Sequence, residues 1–359
     1  MKTYRPAFFM GANTPQGFYS LFGELDRVGA DTVMVIKGGP GCGKSSLMKK
    51  TADAFEGAGR PCERIYCSSD VNSLDAVILP DVPAYIVDGT APHTVEPPTP
   101  GAVGRIVDMG AMWDREKIKR RRDEIEALTA LGTRHRLRAT RLLRAAAALR
   151  EERDAAVFPA ADREKLSRLC ARLVKKELGR GDEKGENRRR FLTAMGGGGV
   201  ADLFCSLDGL RVTELKDRWG IAPLMLCELA DCARKRGYDT VECMCTQSPG
   251  RIEHLIIPAA GAAFVSSNRA HGYCGPSVRS CDLARCVDPD VLRENRGALR
   301  LSAAMTDTLL EQAAEALRAA SDAHGELEKI YTPAMDFSGA DRLFEEVAGE
   351  LLETPRKTE

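Results

Sequence analysis

Gly38-Gly39-Pro40-Gly41-Cys42-Gly43-Lys44-Ser45-Ser46 is the stretch on which the reading of this chain turns. Gly38, Gly43, Lys44 and Ser45 occupy the fixed positions of G-x-x-x-x-G-K-[ST], a pattern short enough to arise by chance. The flanks supply the missing context. Upstream, Thr32-Val33-Met34-Val35-Ile36 is a short β-branched and apolar run of the kind that forms a buried parallel strand. Downstream, Ser45 to Ala58 lacks proline and sets Leu47, Ala54 and Phe55 on roughly one face before Gly57 and Gly59. Strand, glycine loop and helix thus follow in the order that phosphate binding requires. Glycines let successive N–H groups point inward, and the helix adds the positive end of its dipole. Gly38, Gly39, Gly41, Cys42, Gly43, Lys44, Ser45 and Ser46 are the expected cradle. Lys44 reaches the β- and γ-phosphates and Ser45 holds Mg²⁺.

A second strand, Ala84-Tyr85-Ile86-Val87, ends on Asp88, the placement of a Mg²⁺-binding aspartate in P-loop proteins. Ile65-Tyr66-Cys67 reads as a further strand ending at Ser68-Ser69-Asp70. Asp70 is a candidate for orienting water or an acceptor hydroxyl, against a plain turn role before Asn72. Pro92, Pro97, Pro98 and Pro100 exclude helix there and leave His93 on a loop near the same sheet edge, as a surface-loop histidine or as a contact to substrate. From Asp114 to Ala156 the chain is helical and charge-rich. A continuous helix of that length would run roughly 60 Å, so a break at Gly132-Thr133 into two antiparallel arms is expected. Arg120, Arg121, Arg122, Arg134, Arg136, Arg138, Arg141 and Arg144 make this arm basic, as a solvated face or as a surface for a protein partner or a polyanion. Residues 179–190 read as a polar linker.

The 359 residues suffice for more than one domain, and Lys plus Arg equals Asp plus Glu at 52 each, which gives no support to nucleic acid or acidic lipid as a partner. No stretch approaches about twenty apolar residues, so a soluble cytoplasmic protein without a membrane segment is expected. Twelve cysteines include no C-x-x-C pair. Free thiols are the plain reading, with zinc on the group Cys243, Cys245, Cys274, Cys281 and Cys286 as the alternative. Cys42, in the loop just before a helix, sits where a thiolate would be favoured.

After the linker the chain repeats itself. Phe191 through Gly199 to Leu203-Phe204 mirrors Phe9 through Gly17 to Leu21-Phe22, Leu224-Met225 mirrors Leu47-Met48, and His271 mirrors His93. Pro333 through Asp336 to Leu343 mirrors Pro159 through Asp162 to Leu169. The phosphate loop does not repeat. Opposite Gly38–Ser46 stand Leu215-Lys216-Asp217-Arg218-Trp219-Gly220-Ile221-Ala222-Pro223, with Ile221 for the lysine, Ala222 for the serine, and Asp217 to repel phosphate. Ser266 stands opposite Asp88.

With these motifs the chain resembles uncharacterised bacterial ATPases built from two tandem P-loop halves with helical segments after each. The resemblance rests on Phe9-Met10-Gly11, Gly17 to Leu21, the loop, Cys67 to Asp70, Val87 to His93, and Glu326 to Tyr331. It implies a tandem P-loop fold and ATP binding, and no particular substrate. The chain departs from that pattern by losing the second loop. The expected architecture is α/β, of P-loop NTPase type, with two tandem parallel-sheet halves and α-helical extensions. Its units are a nucleotide-binding domain at 1–112, a helical extension and linker at 113–188, a degenerate P-loop-like domain at 189–288, and a C-terminal helical extension at 289–359. The expected ligands are ATP and Mg²⁺ at the first half only. No N-K-x-D run marks a GTPase, and Gly89 stands where many motors place a water-activating glutamate. A slow ATPase, a small-molecule kinase and a nucleotide-dependent switch remain open. Arg218, Arg251 or Arg269 could reach the intact loop as an arginine finger.

Overall fold

The apolar run around Val33–Ile36 forms the fully buried centre of a six-stranded sheet in the computed structural model, which describes residues 5–179, 181, 184–354 and 356. The first half opens with β1 (Ala7–Phe9) and the hairpin β2 (Gly11–Thr14) and β3 (Gly17–Ser20). Then come β4 (Thr32–Lys37), α1 (Lys44–Gly57), β5 (Glu63–Tyr66), β6 (Leu74–Leu79), β7 (Ala84–Asp88) and β8 (Gly104–Asp108). Its extension comprises α2 (Arg115–Lys119), α3 (Arg122–Val157) and α4 (Arg163–Glu177). The second half repeats the plan with β9 (Asn187–Arg190), β10 (Thr193–Gly196), β11 (Gly199–Asp202), β12 (Arg211–Lys216) and α5 (Ala222–Arg234). It continues with β13 (Thr240–Cys245), β14 (Ser248–Ile257), β15 (Ala262–Ser267) and β16 (Arg279–Asp282), then α6 (Pro289–Glu294), α7 (Arg296–Tyr331) and α8 (Phe337–Glu353).

The two large sheets have the same order, β1-β5-β6-β7-β4-β8 and β9-β13-β14-β15-β12-β16. They are mixed rather than parallel. β4 runs parallel to β7 and β8, but β6 is antiparallel to both β5 and β7. Short connections on either side of β6 leave no room for a crossover, which a parallel neighbour would need. Burial on both faces explains the unbroken apolar run of β4. Val33 and Val35 face a core shared with the second half, while Met34 and Ile36 face α1 and α8.

Three further expectations are corrected. Residues 187–190 of the expected linker form β9, which pairs in parallel with β13, while Arg180, Asp182 and Glu183 lie outside the described residues. The helix does not break at Gly132-Thr133. α3 runs 36 residues, and its antiparallel partner is α7, also of 36 residues, from the other copy. Gly132 is buried against that partner, where a Cβ would stand 3.8 Å from the Ala320 carbonyl oxygen. A lone helical glycine costs about 1 kcal/mol, which packing along the whole seam outweighs. Finally, Leu215 and Lys216 belong to β12, so the second loop is Asp217–Ile221 and is shorter than the first.

Equivalent residues meet where the halves join. Phe9 and Phe191 exchange backbone hydrogen bonds of 2.9 Å in both directions, and Ala139 and Ala313, at the same position in α3 and α7, share one small apolar cluster. An approximate twofold axis relates the copies, and their extensions are exchanged across it. α4 packs on α5 of the second half, and α8 packs on α1 of the first. Arg190, 2% exposed, pairs with the buried Glu63 at 2.5 Å across the same boundary. Arg190→Leu leaves Glu63 buried and unpaired, so urea unfolding should show a loss of about 3 kcal/mol or more. Adding Glu63→Leu should restore most of it; no recovery in the double variant would show that the pair does more than balance its own charges.

Candidate functional site

The first loop leaves β4 and enters α1 through a glycine-rich turn whose backbone favours glycine. Gly41 and Gly43 have φ of +66° and +90°, in the left-handed region. The amides of Gly39, Gly41 and Gly43 donate to no other described residue, and no side chain caps α1. The start of α1 is therefore an open set of donors at the positive end of a helix. Lys44 Nζ lies back over the loop, donating to the Gly38 and Gly39 carbonyl oxygens at 3.0 and 2.9 Å and standing 3.7 Å from Asp88 Oδ2. Ser45 Oγ accepts from Leu74 N at 3.0 Å, and Ser46 is exposed in the first turn. Asp88 Oδ1 accepts from the Thr90 amide and hydroxyl, which leaves Oδ2 turned to Lys44. Phosphate donors, a lysine, a hydroxyl and a carboxylate are thus gathered where β4 and β7 end. This donor set fits a nucleotide phosphate chain with a divalent cation.

The other expected residues fare differently. Asp70 is exposed, and both its oxygens hold the β5–β6 turn, accepting from Asn72 N and Ser73 Oγ, so the turn role is the observed one. His93 is no surface-loop histidine. Its side chain is 7% exposed, packed against Phe18 and Phe22, with Nε2 3.4 Å from Asp75 Oδ2. Burial opposes its charge, but the Asp75 carboxylate wins and lifts its pKa above the ordinary 6.5, with Asp88 and Lys44 also acting on the ring. Asp75–His93 therefore lies beside Lys44–Asp88. The second half keeps the arrangement, with His271 Nε2 3.0 Å from Glu253 Oε1. Cys42 is 1% exposed, and burial pushes its thiol up, so it is a small packing residue and not a thiolate. The cysteines of the second half do not assemble either. Among the described residues the only metal-type cluster is Glu253, His254 and His271, and every cysteine is free.

Trp113 and residues from the end of α7 cover the loop. A Cβ at Gly39 would stand 3.0 Å from Trp113 and 3.7 Å from Tyr331, and one at Gly41 would stand 2.5 Å from Thr332 Oγ1. The end of α7 is thus seated on the loop, and the charge of Lys44 reaches His324 one turn before Glu328. Arg218, Arg251 and Arg269 are not at this loop. They line a cavity beside the second half's Asp217–Ile221 loop. There Asp217, 3% exposed, accepts from the Ile221 and Ala222 amides at 2.8 and 3.0 Å. The carboxylate takes the position an anion would take at the start of α5.

No protein-family model, curated protein or solved structure matches this chain. Among the described residues no helix is long and apolar enough to cross a membrane.

The Asp75–His93 pair generates a pH dependence. A histidine raised in the folded state stabilises it fully below about pH 6.5, and that stabilisation is lost as pH rises through the folded value. In NMR titration His93 should titrate above 6.5, and in Asp75→Asn lower than in wild type, since the main interaction that opposes burial is then gone. Equal midpoints in the two proteins would remove the pair.

Proposed function

We propose that the chain binds ATP·Mg²⁺ at the first-half loop alone and hydrolyses it slowly, as a cytoplasmic P-loop NTPase with one live and one degenerate half. The observation that carries this reading is the contrast between the two helix starts: α1 leaves its amides open beside Lys44, Ser45 and Asp88, whereas α5 closes its own with Asp217. The resemblance to tandem P-loop ATPases points the same way.

In this reading Lys44 exchanges the Gly38 and Gly39 carbonyls for β- and γ-phosphate oxygens, while the loop amides hold the phosphate chain. Ser45 Oγ and Asp88 would hold Mg²⁺, which supplies neutralisation of the phosphate charge. Slowness follows from packing. A Cβ at Gly89 would stand 2.3 Å from Val35 Cγ1 and 2.8 Å from the Val95 carbonyl oxygen, so no glutamate fits after Asp88. The Asp75–His93 pair beside Lys44–Asp88 is packed against hydrophobic rings away from solvent.

The seating of α7 favours a second reading, a nucleotide-dependent switch. Any ligand on Gly39–Gly41 meets Trp113, Tyr331 and Thr332, so occupancy is felt at the end of α7. Transfer to a small-molecule acceptor, the kinase reading, finds no comparable support in an identified acceptor site.

Incubation with ATP·Mg²⁺ separates these readings. Wild type should release inorganic phosphate, and Lys44→Ala should lower the rate on the order of 10²-fold. A phosphorylated metabolite instead would favour the kinase, and equal turnover by both proteins would remove the site. For the switch, amide exchange across residues 324–332 should slow on adding ATP·Mg²⁺; unchanged exchange there would contradict it.

A further inference from the structure

The degenerate half has closed one anion site and retained another opening beside it. A cavity of about 490 Å³ lies between the Asp217 loop, the carboxyl ends of β13 and β15, and the helices α3 and α7. That volume suits a ligand of nucleotide size. Seven arginines line it against three acidic residues, Asp217, Glu253 and Asp307. Two of the acids are committed elsewhere, Asp217 to the α5 amides and Glu253 to His271, while Asp307 pairs with Arg269 of the lining.

The arginines divide by partner. Arg153 and Arg251 share Asp154, which stands outside the cavity lining. Arg150 hydrogen-bonds only to neutral groups, the Gln247 amide oxygen and the Cys245 sulfur, with the Glu253 and Asp154 carboxylates acting on it through space. Arg218 lies 4.8 Å over the Trp219 ring. Arg218, Arg296 and Arg300 have no carboxylate partner among the described residues, although they come from the loop and from α7 and converge on one space. Solvated arginines on a flat surface need no explanation; arginines from separate elements around a concave space, left without counter-charges, form a receptor for a multiply charged planar or tetrahedral anion.

We propose that this cavity binds an organic polyphosphate, recognised by Arg150, Arg218, Arg296 and Arg300 rather than by a glycine loop and Mg²⁺. The ligand brings at least two phosphate groups, because a single phosphate leaves most of these guanidinium groups unmatched. Trp219 offers a ring face for a base, so a nucleotide and a polyphosphate without a base share the same chemistry here. The site is separate from the first-half loop, and its recognition needs neither Lys44 nor a metal.

Calorimetric titration of the full chain with tripolyphosphate, in excess chelator, tests this directly. The expected result is one saturable site, retained in Lys44→Ala and weakened at least about tenfold in Arg296→Ala/Arg300→Ala. Circular dichroism and the urea midpoint of the double variant, whose side chains are exposed, should match wild type. ATP tested in the same chelated buffer assigns the source: tighter binding than tripolyphosphate means a nucleotide, and equal binding means recognition of the phosphates alone. No saturable heat, binding unaffected by the two arginine substitutions in a folded variant, or binding lost with Lys44→Ala would overturn the proposal.

Discussion

A helix that starts at the carboxyl end of a buried strand presents amides that must find an acceptor, and the two halves of this chain meet that constraint in opposite ways. At α5 the acceptor is built in: Asp217 accepts from the Ile221 and Ala222 amides and fills the place itself. At α1 no described residue does so, and Lys44 lies beside the loop on backbone carbonyls. An internal carboxylate needs no ligand to complete the fold; an open loop gains stability from a bound anion. The difference between the halves is therefore that one helix start is satisfied from within the chain and the other, among the described residues, is not.

The exchange of extensions makes the two halves mechanically inseparable. Because α3 and α7 lie antiparallel along their whole length, each long helix runs from one loop region to the other. Arg150 and Arg153 of α3 face the degenerate loop, while Tyr331 at the end of α7 and the following Thr332 cover the intact one. The reciprocal Phe9–Phe191 hydrogen bonds and the buried Arg190–Glu63 pair tie the sheets beneath this seam. A change at either loop thus bears on a helix that also touches the other.

What could be read from the residues was local. β4, the loop, α1 and Asp88 are contiguous patterns whose meaning lies within a few residues, and each stands where its pattern places it. The repeat was legible too, since it needs only comparison of the chain with itself. Strand direction was not, because a short apolar run looks the same in either orientation, so β6 and β14 escaped notice as antiparallel members. Gly132 looked like a break because its partner, Ala320, lies in a distant helix. His93 looked exposed because Phe18, Phe22 and Asp75 reach it from other elements. One signal was present and unused: Asp75 precedes His93 by the same interval as Glu253 precedes His271, so the repeat marked the acid together with the histidine.

The central claim, one metal-assisted nucleotide site in the first half, is tested most directly by electron paramagnetic resonance with Mn²⁺ in place of Mg²⁺ and a non-hydrolysable ATP analogue. The account predicts one nucleotide-dependent Mn²⁺ per chain, lost in Ser45→Ala and in Asp88→Asn and kept in Asp217→Asn. A nucleotide-dependent Mn²⁺ signal that survives both first-half substitutions, or one that depends on Asp217, would contradict it.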